Sequence, residues 1–253
     1  MEIITVDINN IDREHICCAI ADKKGENCVG SKKAWLKERF KDGLVFKKLN
    51  ARGKVFIEYI PAEKAFAPIS ADNYMYINCF WVSGKFKGQG YGKRLLNECR
   101  TDAREKAKDG LVVLSSKKKK PFLSDPKFLK YQGFKVGDTA EPFFELLYLS
   151  FKDPAVTPNF KEWAKKGVVR HAGVVLYYSN QCPHVDKYVP LIEEAALKNG
   201  IEFYSFKLKT AQEAQQAPCP FTTYSMFING KFETNEILTE KKFLKRLEHK
   251  GLL

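Results

Sequence analysis

The chain alternates short runs of apolar and β-branched residues with segments whose apolar residues recur every three or four positions. The first pattern predicts strands and the second predicts helices that bury one face. An aromatic and β-branched run over residues 74–82 predicts a central strand. Apolar residues spaced by four then predict a single buried stripe along a helix over residues 90–108. They are Tyr91, Leu95, Cys99, Ala103 and Ala107.

The same two patterns extend on both sides of this strand and helix. Strands are predicted at residues 3–6, 44–49, 55–60, 111–115, 134–136 and 143–151. Helices are predicted at residues 11–20, at residues 31–40 with Ser31 as N-cap, and from Ser124 to a stop at Gly133. Residues 50–53 predict a hairpin turn, and Pro61 ends the strand that follows it.

The loop between the central strand and the helix carries candidate chemistry. Backbone N–H groups and the positive end of the helix dipole meet at a helix N-terminus, and glycine lets an anion approach the backbone closely. Four basic residues add positive charge there: Lys85, Lys87, Lys93 and Arg94. The loop therefore predicts a pyrophosphate site.

Two common phosphate motifs do not fit this loop. The P-loop pattern requires a glycine where Lys87 stands, and Arg94 replaces the Ser or Thr that would hold magnesium. The dinucleotide pattern G-x-G-x-x-G fails because the glycines fall at 88, 90 and 92. A glycine-rich connector with solvated lysines is the alternative interpretation.

The run from Lys87 to Gly92, Lys-Gly-Gln-Gly-Tyr-Gly, resembles the acetyl-CoA loop of the GNAT acetyltransferase superfamily. Lys87 stands where that family usually has Gln or Arg. Residues 125–134, which end in Gly-Phe, resemble the family's second motif, and the order of predicted elements is similar too. The resemblance implies a GNAT fold over residues 1–151, with a mixed, mostly antiparallel sheet and flanking helices.

The resemblance also implies acetyl-CoA as the co-substrate. The strand before the loop would hold its pantetheine arm through backbone groups of Phe80, Trp81 and Val82. The loop would hold its pyrophosphate through Lys85, Lys87, Gly88, Gln89, Gly90, Tyr91, Gly92 and Lys93.

The reaction that the resemblance implies is direct attack of an amine on the thioester, which needs a base and an acid. Glu58 and Glu63 are the nearest candidates for the base, and an exposed strand-edge glutamate is the alternative for either. In many family members a Tyr serves as the general acid at the position where this chain has Leu129. Tyr131 or water would then serve as the acid.

The strand and helix patterns restart beyond a linker at residues 152–170, which contains two prolines in its first half. Cys182-Pro183-His184 at a strand-to-helix turn and the Asn229-Gly230 hairpin resemble a thioredoxin-like fold. The resemblance implies a smaller α/β domain over residues 171–253. The whole chain is similar to the YoaP-type acetyltransferases.

A cysteine at a helix N-terminus has a lowered pKa, because the helix dipole favours the thiolate. Thioredoxins carry a second cysteine where this chain has Val185, so a dithiol oxidoreductase is disfavoured. Three interpretations of Cys182 remain open: a monothiol site with Cys219 as resolving thiol, a fold reused for binding, or a structural cysteine. A thiol-redox protein whose first domain only binds CoA is accordingly the alternative function.

The net charge of +13 raises nucleic-acid binding as a third hypothesis. The densest basic run, residues 117–120, follows a buried strand and lies in no nucleic-acid motif, which favours a cofactor-phosphate or surface role. We therefore expect acetyl-CoA and an amine as partners, with no nucleic acid. Two copies could pair through their strands.

Seven cysteines without a C-x-x-C pair indicate reduced thiols, and four histidines without ligand spacing indicate no metal site. The sequence has no membrane-spanning apolar run and does not begin as a signal peptide. We therefore expect a cytoplasmic protein. The acceptor amine would bind among the loops between Ile11 and Phe66, where no motif identifies it.

Overall fold

The computed structural model describes residues 1–16 and 19–253. Cys17 and Cys18, which belong to the helix predicted at 11–20, lie outside the described residues. Residues 8–13 form successive turns, so the start of that prediction is wrong. Asn10 Oδ1 accepts the Asp7 N–H at 2.9 Å, and Asp7 Oδ1 accepts the Asn9 N–H at 2.8 Å. Such side-chain bonds compete with helix formation.

A seven-stranded sheet forms the centre of the N-terminal region, residues 1–151, in the order β1-β2-β3-β5-β6-β8-β7. Its strands are β1 (Ile3–Val6), β2 (Val45–Leu49), β3 (Val55–Pro61), β5 (Tyr74–Val82), β6 (Gly110–Ser116), β7 (Lys135–Ala140) and β8 (Phe144–Ser150). A two-residue strand, β4 (Ile69–Ser70), lies apart from this sheet. The helices of this region are α1 (Cys28–Phe40), α2 (Tyr91–Glu105) and α3 (Pro126–Tyr131).

The strands β5 and β6 are parallel and separate part of the way along. They pair from Tyr74 with Gly110 to Ile77 with Val113. Beyond Ile77, β5 continues beside β3 as far as Val82, while β6 continues beside β8. The β6-facing edge of β5 over residues 78–82 therefore lacks a neighbouring strand among the described residues.

The two faces of the sheet pack against different elements. Residues of β3 alternate between them, with Phe56 and Ile60 in one apolar cluster and Ile57 and Tyr59 in the other. The second cluster contains the apolar stripe of α2, which confirms that prediction as far as Ala103. Ala107 lies beyond the end of α2 and is exposed.

The helix α1 begins three residues earlier than predicted. Its N-cap is Asn27 rather than Ser31, and the Asn27 side chain makes no capping hydrogen bond. The Asp22 carboxylate instead accepts the N–H groups of Val29 at 2.8 Å and Gly30 at 3.3 Å. A residue outside the helix thus accepts hydrogen bonds from the N–H groups of its first turn. The spacing of residues in the sequence does not predict this contact.

Two short elements lie inside the predicted linker. The strand β9 (Asn159–Phe160) pairs with β4, and α4 (Glu162–Lys165) follows it. Phe160 is buried, and the Lys161 N–H donates to Pro68 O at 2.8 Å. Part of this segment is therefore packed against the N-terminal region.

A second sheet of four strands, in the order β11-β10-β12-β13, forms the C-terminal region, residues 171–253. Its elements are β10 (Val174–Tyr178), α5 (Pro183–Lys198), β11 (Phe203–Lys207), α6 (Ala211–Gln215), β12 (Tyr224–Ile228), β13 (Lys231–Thr234) and α7 (Glu240–His249). Only β10 and β11 are parallel, and the helix α5 connects them. The hairpin predicted at Asn229-Gly230 is confirmed, and both residues have positive φ as its turn requires.

The C-terminal region packs on the face of the large sheet opposite α2. One apolar cluster includes Phe56 and Tyr76 together with Val189 and Phe243. The Gln215 amide donates to Glu63 O at 3.1 Å and to Ala65 O at 3.2 Å, and the Thr222 hydroxyl donates to Phe66 O. In the described part of the chain, no helix is both long and apolar enough to cross a membrane.

Candidate active site

The glycine loop joins β5 to α2 at the point where β5 has separated from β6. A 3₁₀ turn at Gly84–Phe86 leads into it, and Gly90 is the N-cap of α2 with a φ of 78°. The first-turn N–H groups of a helix have no partner within the helix, and Gly90 has no side chain that could cap them. A Cβ at Gly88 or Gly90 would meet nothing within 4 Å, so the space beside the loop is open.

Tyr91 and Gly92 serve the packing of the loop. The Tyr91 side chain is buried, and its ring lies edge-on to Phe86 at 5.9 Å between centroids. Tyr91 can therefore offer a ligand only its backbone. A Cβ at Gly92 would lie 3.4 Å from the Phe128 ring, which is about contact distance, so this position of α2 packs directly against α3.

A cavity of about 570 Å³, the main cavity, opens beside the loop. Five residues predicted to bind the cofactor contribute to its walls: Phe80, Trp81, Val82, Lys87 and Gly92. The other six, Lys85, Gly88, Gln89, Gly90, Tyr91 and Lys93, lie along the loop and the start of α2 outside these walls. The Gln89 amide donates to Lys85 O at 2.5 Å, which ties the loop to itself.

The opposite wall of the main cavity comes from the segment between β6 and α3, which the predicted cofactor site did not include. It contributes Lys119, Lys120, Pro121, Phe122, Leu123 and Asp125, together with Phe128 from α3. The sequence feature that pointed to this wall was the basic run at 117–120, for which a cofactor-phosphate or surface role was expected. The wall places two lysines beside the cavity.

Asp125 organises that wall. Its carboxylate caps α3 by accepting the N–H groups of Lys127 at 3.0 Å and Phe128 at 3.4 Å, and it lies 3.1 Å from Lys119 Nζ. Partial burial raises the pKa of Asp125, but the Lys119 and backbone hydrogen bonds outweigh it and lower the pKa overall. Asp125 therefore stays ionised and holds Lys119 near the cavity.

Glu58 lies on β3 in the interior of the sheet, which excludes the exposed strand-edge alternative for this residue. Its carboxylate is 2.7 Å from Lys32 Nζ, and both side chains are 1% exposed. The Asn78 amide donates to its other oxygen at 3.1 Å. Asn78 is the extra residue of a β-bulge in β5, opposite the step from Glu58 to Tyr59.

The other two predicted catalytic residues, Glu63 and Tyr131, do not line the main cavity. Glu63 accepts the Asn73 N–H at 2.7 Å and pairs with Lys108 at 3.2 Å, near the start of β5. Tyr131 ends α3, and its side chain is 86% exposed. Of the three predicted residues, only Glu58 contacts β5 beyond the point of separation, through its hydrogen bond with Asn78.

A second, smaller cavity of about 20 Å³, the inner cavity, lies where β5 and β6 begin to separate. The N-terminal region lines it with Phe66, Tyr76, Ile77, Asn78, Leu114 and Ser124. It shares Phe122 and Leu123 with the main cavity, so the two cavities adjoin. The C-terminal region closes it with Gln181, Pro220, Phe221, Thr222 and Thr223.

Asn78 connects the inner cavity to the buried ion pair. Its amide nitrogen donates to Glu58, while its Oδ1 is buried without a hydrogen-bond partner among the described residues. Buried polar atoms are rarely left unpaired, so this oxygen can accept a bond from a ligand in the inner cavity. Phe122, between the two cavities, has a φ of 64°, a strained value for a bulky residue.

Cys182 and Cys219 have different environments. Cys182 is the half-buried N-cap residue of α5, as its predicted position at the strand-to-helix turn requires. Cys219 is fully buried, and burial raises the pKa of its thiol to about 12. A thiol with that pKa stays protonated at neutral pH, which argues against Cys219 as a resolving thiol.

One group of potential metal ligands occurs among the described residues. Atoms of Asp22, Glu26 and Cys28 lie within 4.8 Å of one another. Asp22 already accepts two N–H groups of α1, and Glu26 pairs with Lys187 at 2.7 Å. Burial, followed by the nearby carboxylates, raises the pKa of Cys28.

Two parallel strands separate beside a helix with a glycine N-cap, and a basic cavity lies in the gap between them. This is the arrangement expected of an acetyltransferase that binds acetyl-CoA. The chain belongs to the GNAT family of acetyltransferases, whose family model matches residues 10–120. A second model, described as YoaP-like, matches residues 203–245. These matches confirm the predicted acetyltransferase class and acetyl-CoA as co-substrate.

The relative that shows this membership covers almost the whole chain. It is a Bacillus subtilis protein named "Uncharacterized N-acetyltransferase YoaP", 43% identical over 244 residues, which are 96% of this chain and 97% of the relative. The similarity therefore includes the C-terminal region.

Solved structures resemble part of the chain. A Brucella melitensis ribosomal-protein-alanine N-acetyltransferase is 18% identical, covers 58% of this chain and 97% of its own, and has a TM-score of 0.40. The Thermoplasma acidophilum PaiA N-acetyltransferase, in complex with coenzyme A, is 17% identical, covers 60% and 100%, and has a TM-score of 0.39.

Proposed function

We propose that the protein transfers the acetyl group of acetyl-CoA directly to an amine in the gap between β5 and β6, with Glu58 as the base. The observation that carries the proposal is the separation of these strands beside the glycine loop. It leaves an unpaired strand edge, an anion-binding helix end and a basic cavity in one place.

The donor half of the proposal rests on backbone groups. The unpaired edge of β5 at residues 78–82 presents N–H and C=O groups to the amides of a pantetheine arm. The N-terminus of α2 and the open space beside Gly88 and Gly90 suit a pyrophosphate. Lys87, Lys119 and Lys120 add positive charge around the main cavity.

The acceptor half of the proposal rests on Glu58 and Asn78. An ammonium group must lose one proton before its nitrogen attacks the thioester carbon. The C–N bond then forms as the C–S bond breaks, and the second proton passes from the nitrogen to the departing CoA thiolate. Asn78 Oδ1, which has no hydrogen-bond partner among the described residues, orients the nitrogen. Glu58, bonded to the amide nitrogen of Asn78, takes up the first proton through one bridging water molecule, because an amide side chain does not relay protons. A thiol has a pKa of about 8.5, so we propose that the thiolate leaves without a side-chain acid.

The test of this function is release of CoA thiol from acetyl-CoA in the presence of primary amines. The set includes glycinamide, ethanolamine, spermidine and a ten-residue peptide with a free N-terminus. We expect at least one amine to raise the rate well above that without amine. Equal rates with and without every amine would contradict the proposal.

The base is tested with Glu58→Gln on the best amine of that set. We expect kcat to fall by about 10²-fold or more, because a positioned base contributes at least that much. Glu63→Gln and Tyr131→Phe serve as controls and should stay within about twofold of wild type. A wild-type kcat for a folded Glu58→Gln variant would exclude Glu58 as the base.

We further propose that the C-terminal region has a thioredoxin-like fold with an accessory role rather than a dithiol activity. Support comes from the β10-α5-β11 parallel unit followed by the β12-β13 hairpin and α7, with Cys182 before α5. Val185 occupies the position of a second active-site cysteine, and Cys219 is buried with a high pKa.

A further inference from the structure

We propose that the C-terminal region completes the acceptor site, so that the enzyme acetylates a small polar amine across the interface between its two regions. This inference rests on the proposed function and deepens it. It assigns a specificity role to Gln181 and Thr222. Both residues lie outside residues 10–120, the part of the sequence that the acetyltransferase family model matches.

The inner cavity lies on the face of the sheet where the amine has to approach. Tyr76 and Leu114, two of its walls, belong to the apolar cluster opposite α2. Glu58 shares that face, because it lies between Phe56 and Ile60 on β3. The main cavity adjoins the inner cavity through Phe122 and Leu123, so a thioester at that junction would be open to attack from the inner cavity.

The C-terminal region gives this cavity a polar wall. The Gln181 amide donates to Ser179 Oγ at 3.1 Å and to Thr222 Oγ1 at 3.2 Å, and Thr222 in turn donates to Phe66 O. Asn78 lines the same cavity, and its Oδ1 has no hydrogen-bond partner among the described residues. An amine with a second hydrogen-bonding group can donate to Asn78 Oδ1 and bond to this polar wall at the same time. We therefore expect the cavity to select such an amine.

The size of the inner cavity limits the acceptor. Its volume of about 20 Å³ holds roughly one water molecule. Residues 220–223 and Gln181 cover it from the side opposite the strands, where a protein substrate would have to dock. The amino group of a small amine can replace that water while the rest of the molecule extends into the adjoining main cavity, whereas a folded protein would have to displace the C-terminal region.

Binding of two CoA thioethers tests the polar wall without knowledge of the acceptor. S-Carboxamidomethyl-CoA places an amide NH₂ where the attacking nitrogen would be, and S-isobutyl-CoA has the same shape without polar atoms. We expect wild type to bind the first about tenfold more tightly by calorimetry. Gln181→Leu should reduce that preference to about threefold or less and leave CoA affinity unchanged.

Gln215→Leu is the matched control, because Gln215 also bridges the two regions but does not line the inner cavity. It should keep the wild-type preference, and Gln181→Met replaces the leucine variant if that variant does not fold. A folded Gln181 variant with the wild-type preference would overturn the inference and leave the proposed function intact.

Two further outcomes are decisive. If wild type binds neither thioether nor CoA, the proposed function fails and the inference fails with it. If the ten-residue peptide is acetylated with a higher kcat/KM than every small amine, the size limit is wrong even where the donor site is correct.

Discussion

Glu58 and Lys32 form a buried ion pair in which each charge depends on the other. Both side chains are 1% exposed, and Lys32 Nζ also lies 4.1 Å from the centroid of the Trp35 ring. Taking two charges out of water is expensive, and the loss of one partner leaves the other uncompensated. This pair is hydrogen-bonded to Asn78, which lines the inner cavity, and that position favours a functional role over a stabilising one.

Lys32→Met tests the dependence of Glu58 on its partner. We expect the free energy of unfolding to fall by about 3–5 kcal/mol, because the Glu58 charge would remain buried alone. Urea denaturation measures the change. Lys37→Met removes an exposed pair with Asp12 and should lower the free energy of unfolding far less, because water screens that pair. If both variants lower the free energy of unfolding by the same amount, the buried pair contributes no more to stability than the exposed pair does.

The sequence identified Glu58 as a candidate but not its environment. Alternation along residues 55–60 identifies a strand, and it cannot show that the strand lies inside the sheet. Lys32 lies 26 positions earlier on a helix, and Asn78 reaches Glu58 from another strand. Only the assembled sheet brings the three residues together, so their contacts could not be predicted from local pattern.

At the scale of elements, the strand, loop and helix from residue 74 to residue 105 agree closely with the sequence prediction. Their signals are local: β-branched residues, glycines at a helix start and a four-residue apolar spacing. The elements that the sequence missed are short, namely β4, β9, α4 and α6, with two to five residues each. So few residues cannot show a periodicity.

The helix α5 carries a titratable group that faces the other region. Its first turn contains His184, which is half-buried, and burial lowers the pKa of this imidazole. Lys54 and Lys187 lower the pKa further, while Glu26 raises it. The folded protein therefore binds a proton at His184 less readily than the unfolded chain, whose histidine pKa is about 6.5.

This lowered pKa predicts that stability falls in mild acid. The contribution of neutral His184 is present above pH 6.5 and is lost as the pH falls through 6.5 towards the lower folded-state pKa. We expect His184→Gln to flatten the fall in melting temperature between about pH 7.5 and 5.5. His171→Gln, at an exposed site, should leave it unchanged. An identical slope in both variants would contradict a role for His184.

At the scale of the whole molecule, the order of the two regions follows from the sequence, but their docking does not. The bonds from Gln215 to Ala65 and from Thr222 to Phe66 join residues about 150 positions apart. No local pattern encodes such contacts, although the contact between Thr222 and Phe66 helps to close the inner cavity. The sequence therefore predicted the donor side of the site, with its local motif, and left the acceptor side undefined.

The central claim is that acetyl-CoA binds beside the glycine loop at the start of α2. Calorimetric titration of acetyl-CoA into wild type, Gly90→Glu and Gly200→Glu tests it most directly. Both glycines have positive φ and open space at the Cβ position, so both variants carry the same backbone strain and the same added charge. Only Gly90 lies at the proposed pyrophosphate site.

We predict saturable binding to wild type and to Gly200→Glu, and a dissociation constant at least about tenfold higher for Gly90→Glu. The added carboxylate would repel the pyrophosphate and occupy its space. If Gly90→Glu binds acetyl-CoA as tightly as Gly200→Glu does, the loop is not the phosphate site and the account of the donor cavity is wrong.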